Sequence, residues 1–307
     1  MGLIGLILLI ALLIIIGSLL SMSDSSNAGR RQNDASTDLD PLDAHEERSM
    51  KSIPYHQKFT VTFPNNRHSD AVLVPQNSDP QRVLDIFGLE SPRPTIFLTG
   101  GASKMSEDDI ARTREVMEVG IAEFAQKHNV TIVDGGTEAG VMQMLGEVRK
   151  QRGFTFPLIG TAPLHKVSFP GYQPSEPEAE LEDGHSHFVL VDSHNWGDES
   201  NMIIGLTRAI SAQTQPKIGV LINGGKISER EAYLATSEGN QEDRIQILVL
   251  DGSGRTASDI STAFKTGHTD SWMIRAIIKN DLIIAELSKG PQDMLDKLQA
   301  YFQFEAK

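Results

Sequence analysis

Two glycine turns, each fed by an apolar run, hold the residues whose types and spacing point to chemistry. The first is Val130-Thr131-Ile132-Val133-Asp134-Gly135-Gly136-Thr137-Glu138-Ala139-Gly140-Val141-Met142; the second is Ile218-Gly219-Val220-Leu221-Ile222-Asn223-Gly224-Gly225, with Ser228 and Glu231 beyond it. A buried strand that ends in glycines and feeds a helix brings backbone N–H groups to a helix N-terminus, where they hold an anion or a phosphate. Gly252-Ser253-Gly254-Arg255 adds a guanidinium suited to bidentate phosphate binding, Trp196 a ring that could stack on a base, and Glu138 and Glu199 acceptors for ribose hydroxyls. Glu231, about one helical turn past Gly225, could act as general acid or base on an N-glycosidic bond if burial raises its pKa. His185, His187 and His194 lie near carboxylates, and alternation would put His185 and His187 on one strand face, but no metal-binding spacing such as HExxH occurs and no metal is expected.

Positioning these loops requires a repeated strand–helix rhythm, and the chain shows one from Pro94 onward. Apolar runs at Thr95–Thr99, Val130–Asp134, Pro157–Thr161, His187–Asp192, Lys217–Ile222, Ile245–Leu250 and Asp281–Leu287 are separated mostly by stretches of helical spacing. This predicts an α/β fold, a Rossmann-like doubly wound parallel sheet. Gly100–Ser103, Gly135–Thr137, Asn195–Glu199, Asn223–Gly225 and Gly252–Arg255 follow the carboxyl ends of predicted strands, where open α/β sheets bind ligands, so one crevice is expected to gather all five loops. Residues 53–93 alternate short apolar pieces with turn residues and read as a β-rich extension preceding residues 94–307.

Residues 2–20 carry no charged side chain. At ~1.5 Å per residue this run spans about 28 Å, which predicts one transmembrane helix within residues 1–22. A cleaved signal peptide would carry a basic leading region and a shorter apolar run. Arg30, Arg31, Arg48 and Lys51 follow the span and no Lys or Arg precedes it, so the positive-inside rule predicts a single-pass membrane protein with a cytoplasmic domain. Residues 23–52 are polar and read as a flexible linker. A net charge of −13 over 307 residues argues against nucleic acid as a partner. The absence of cysteine excludes disulfides, thiolate metal sites and a cysteine nucleophile.

From about Pro94 to the C-terminus the chain resembles the SLOG superfamily, which includes the LOG phosphoribohydrolases and the ligand-sensing amino-terminal region of TRP melastatin channels. The prokaryotic version of that region (LSDAT) is the match, through Leu98-Thr99-Gly100-Gly101-Ala102, Asp134 to Met142, Asn195-Trp196-Gly197-Asp198-Glu199-Ser200, Asn223-Gly224-Gly225 and Asp251-Gly252-Ser253-Gly254-Arg255. The LOG motif P-G-G-x-G-T-x-x-E falls in register with Asn223 to Glu231, keeping the glutamate and replacing the proline, third glycine and threonine with Asn223, Ile227 and Ser228. The resemblance implies a nucleotide or NAD-derived ligand such as ADP-ribose, with no required cofactor. Contacts are expected at Gly100, Gly101, Gly135, Gly136, Thr137, Glu138, Gly140, Trp196, Glu199, Asn223, Gly224, Gly225, Gly252, Ser253, Gly254 and Arg255. It also implies pairing with a second copy, as in LOG-type proteins, or signalling to an unknown partner. The expected function is a membrane-anchored sensor; the alternative is a nucleotide hydrolase that uses Glu231.

Overall fold

The computed structural model describes residues 53–304 apart from 213 and 238. The apolar run at 2–20 and the polar linker lie outside the described residues. Among the described residues, no helix is long and apolar enough to cross a membrane.

The strands are β1 (Lys58–Thr62), β2 (His68–Val74), β3 (Thr95–Gly100), β4 (Thr131–Asp134), β5 (Leu158–Pro163), β6 (Val167–Ser168), β7 (Ala179–Glu180), β8 (His187–Val191), β9 (Lys217–Ile222), β10 (Gln246–Asp251) and β11 (Leu282–Glu286). The helices are α1 (Pro80–Phe87), α2 (Glu107–Glu115), α3 (Glu123–His128), α4 (Gly140–Arg152), α5 (Ser200–Ser211), α6 (Lys226–Ser237), α7 (Arg255–Thr266), α8 (Trp272–Ile277) and α9 (Pro291–Phe302). A π-helical turn, Val116–Ala122, joins α2 to α3.

Nine strands form one sheet in the order β1-β2-β8-β5-β4-β3-β9-β10-β11. Every pairing is parallel except that of β1 with β2. From β3 the chain steps outward through β4 and β5, later returns to place β9 on the other side of β3, and continues through β10 and β11. The reversal makes the β3/β9 seam the topological switch point, the position at which such sheets take ligands. Its central strands are buried on both faces, which is why β3 and β9 read as unbroken apolar runs rather than alternating ones. One face packs against α1 and α5 to α8, the other against α3, α4, α9 and the π-helical turn.

Residues 53–93 do more than precede this sheet. β2 pairs with β8 from Asp70↔His187 to Val74↔Val191 and so continues it, while β1 closes the edge. The same stretch also holds α1, which starts on the Asp79 cap with Pro80 in its first turn and stops at Gly88 with φ +67°. Both end signals stand in the sequence, but eight residues are too few for a clear helical period.

Gly219 shows how tightly the seam is packed. A Cβ there would lie 2.3 Å from the Phe97 ring and 2.7 Å from Ile247. Gly219→Ala is expected to cost about 1–3 kcal/mol through overpacking, read as a lower urea midpoint. An unchanged midpoint would contradict this packing.

Candidate functional site

The crevice floor is the β3/β9 seam. A Cβ on Gly100 would lie 2.0 Å from the Ile222 carbonyl oxygen, and the next residue, Gly101, donates its N–H to that oxygen at 3.1 Å. Gly140, at the start of α4 with φ +57°, approaches from the side, and a Cβ there would stand 3.0 Å from Gly101 Cα. Asn223 follows β9 with φ +56° and Gly224 with φ +82°, after which α6 begins. The carbonyl of Gly225 accepts from Thr256 Oγ1 at 3.1 Å, which ties the start of α6 to the start of α7. Two helix N-termini, each with a positive dipole end, therefore open side by side.

Arg255 is the first residue of α7 and is exposed. Its Nη2 lies 2.9 Å from where a Cβ of Gly225 would be. Among the described residues its side chain makes no hydrogen bond or ion pair. A guanidinium beside two helix N-termini with its donors unused has the chemistry to take a phosphate-like anion. Ser253 plays a different part: its hydroxyl donates to Leu250 O at 2.6 Å and accepts the Asn223 N–H at 2.8 Å. It fixes the shape of the loop. Gly252 lies to one side, lining a cavity of about 170 Å³ with Asp109, Arg112, Asp251 and Glu286.

The Gly135–Glu138 turn lies under the segment 179–184. Gly136, φ +66°, rests on Gly160, Thr137 is buried and bridges to Leu181, and the Glu138 N–H donates to Glu180 O at 2.8 Å. Desolvation raises the pKa of Glu138, and Glu180, Asp183 and Glu182 raise it further. Trp196 is committed elsewhere as well: Nε1 donates to Glu178 at 2.7 Å and the ring packs on the small core beneath β6 and β7.

Glu231 and Glu199 are both 4% exposed. Glu231 takes hydroxyl donors on both oxygens, from Thr99 and, at 3.0 Å, from Ser200, and burial raises its pKa. Glu199 accepts the Gly197 N–H at 2.7 Å. Burial, reinforced by the facing Glu231, pushes it up to about 7. Thr99 and Ser200 had no signal in the sequence that would pair them with a glutamate so far along the chain.

His185 and His187 do not share a face. His185 precedes β8, so strand alternation does not govern it. Its ring is fully buried between Asp134 and Glu182, with 2.8 Å from Nε2 to Asp134 Oδ1 and 2.8 Å from Nδ1 to Glu182 Oε2. Asp134 Oδ1 also accepts the Gly136 N–H at 2.8 Å, so this triad pins the first glycine turn to the segment that covers it. Burial alone would lower the His185 pKa, but the two carboxylates outweigh it and raise the value to about 10. His187 bonds no carboxylate: Ser186 Oγ lies 2.8 Å from its Nδ1, the ring meets Phe87 edge-on, and burial lowers its pKa to about 4.

Because the folded pKa of His185 lies above the ordinary 6.5, the imidazolium contributes its full stability below about pH 6.5 and loses it as pH rises through about 10. Urea unfolding from pH 6 to 10 should show stability falling with pH. His185→Gln should flatten that slope and cost about 3–5 kcal/mol at pH 7, since two buried carboxylates lose their cation. A variant that kept the slope would contradict the assignment.

The family described as SLOG in TRPM, prokaryote, matches residues 93–296. The chain is 29% identical over 224 residues to a transient receptor potential cation channel subfamily M member-like 2 of Nematostella vectensis, covering 61% of this chain and 14% of that protein. It is 27% identical over 216 residues to the subfamily M member 2 channel of Mus musculus, covering 59% of this chain and 14% of the channel. The chain thus spans about one seventh of the length of these curated relatives. It belongs to the prokaryotic SLOG family related to the TRPM channels.

Proposed function

We propose that this domain is a ligand sensor that binds a nucleotide or NAD-derived anion of the ADP-ribose class at the β3/β9 switch point. The observation that carries the reading is the unpaired Arg255 guanidinium over Gly225, where α6 and α7 begin together. The relatives are cation channels by name, and the family matched is the SLOG domain of such channels, which supports a sensing role. Glycines at 100, 101, 140, 224 and 225 let ligand and backbone approach closely, and Arg255 with the helix N-termini neutralises phosphate charge. The apolar run at 2–20 anchors the domain on the cytoplasmic side of a membrane, and ligand-driven reordering of the loops is passed to a partner or a second copy.

A second reading, hydrolysis of an N-glycosidic bond, draws on two buried carboxyls, Glu231 and Glu199, the latter pushed up by burial to about 7, a value suited to proton transfer. Sensing is preferred because both Glu231 oxygens are already held by Thr99 and Ser200 within the core.

Arg255→Ala in the full chain is expected to weaken ADP-ribose at least ~10-fold by calorimetry, the loss of charge-assisted hydrogen bonds. Unchanged affinity would contradict the phosphate assignment. Wild type and Glu231→Gln should both leave the bound ligand intact by mass spectrometry; wild-type release of free base or ribose phosphate, abolished in Glu231→Gln, would establish the hydrolase instead.

A further inference from the structure

Asn223 stands where three loops meet. Its backbone N–H donates to Ser253 Oγ at 2.8 Å, and its Nδ2 donates to Ser253 O at 2.7 Å and to Ser103 O at 3.2 Å. Two carbonyl acceptors at the amide nitrogen fix which way the amide faces, because the reversed amide would set oxygen against oxygen. The remaining atom, Oδ1, is buried and has no hydrogen-bond partner, in a residue 1% exposed. Buried acceptors are ordinarily satisfied, so this one calls for a donor.

The space for that donor lies on the side of Gly101. A Cβ built on Gly101 would come 3.8 Å from Asn223 Oδ1 and meet nothing else within 4 Å. Gly101 is outside the positive-φ glycines, so its backbone alone does not require glycine. What glycine provides here is the absence of a side-chain atom in contact with the orphan oxygen.

We infer that Asn223 Oδ1 is the acceptor for a sugar hydroxyl of the ligand, and that the space above Gly101 selects ribose phosphates over ligands lacking that hydroxyl. The inference rests on the anion-binding reading of the crevice and refines it. Arg255 and the helix N-termini attract phosphate, whereas an acceptor-only oxygen repels a second anionic oxygen and accepts a neutral donor. A hydroxyl on the sugar next to the phosphate is the donor within reach. Solvent does not reach Oδ1 in the unliganded chain, so the hydroxyl engages it as the loops after β3 and β9 close around the bound ligand.

Calorimetry on the full chain in detergent, with ADP-ribose, its analogues lacking one ribose hydroxyl, and inorganic pyrophosphate, tests this. Wild type should bind ADP-ribose about 10-fold or more tightly than one of the deoxy analogues, because the analogue leaves a buried acceptor unpaired. Gly101→Ala, which fills the space without backbone strain, should erase that preference, while wild type should bind pyrophosphate and Arg255→Ala should not. Equal wild-type affinity for ADP-ribose and every deoxy analogue, or discrimination that survives in Gly101→Ala, would overturn the hydroxyl assignment and leave the anion site standing. Binding of neither ADP-ribose nor pyrophosphate would overturn both.

Discussion

Backbone meets backbone at the seam between β3 and β9, and no side chain fits between them. The Ile222 carbonyl oxygen occupies the space that any side chain on Gly100 would need, and Gly101 bonds to the same oxygen. This closeness lets the chain reverse direction across the sheet and brings the starts of α4, α6 and α7 to one crevice. A larger residue at position 100 would push the two strands apart, and with them the loops that hold Arg255 over Gly225. The site is therefore a consequence of the topology; loop sequence only furnishes it.

Polar groups behind that floor keep it in shape. Asn223 and Ser253 lock the loops after β9 and β10 together, and Thr256 joins α7 to the Gly225 carbonyl. The His185 bridge holds the Asp134–Gly136 turn under the segment 179–184. The buried imidazolium satisfies both ring N–H groups at 2.8 Å, and its charge offsets that of the two carboxylates. Glu231 is held in a comparable way by two hydroxyls. In the proposed reading, these held surroundings frame Arg255 and Gly101 as the parts that meet a ligand.

The strand–helix rhythm after Pro94 and the glycines at the strand ends were legible in the sequence because both are local signals: a run of apolar residues, then a residue that permits a tight turn. The pairing of β2 with β8 was not, since Asp70 and His187 are joined only by the sheet and nothing near either announces the other. The same holds for His185, whose partner Asp134 is 51 positions away. α8 left no trace because six residues around Trp272 do not complete two helical turns. Among the residues expected at the candidate site, the position of Arg255 and the glycines near it at helix starts was legible, because glycines that feed a helix fix where backbone N–H groups point. The surroundings of Trp196, Thr137 and Ser253 were not, because they depend on distant or loop neighbours such as Glu178, Leu181 and Leu250.

The central claim is that the switch point between β3 and β9 takes the ligand. Amide hydrogen exchange on the full chain, with and without ADP-ribose, tests it most directly, since it reports each loop separately. Protection should rise together in residues 100–105, 223–228 and 252–257, the three loops that share the crevice. Saturating ligand that left all three unchanged, with protection elsewhere in the chain, would contradict the account.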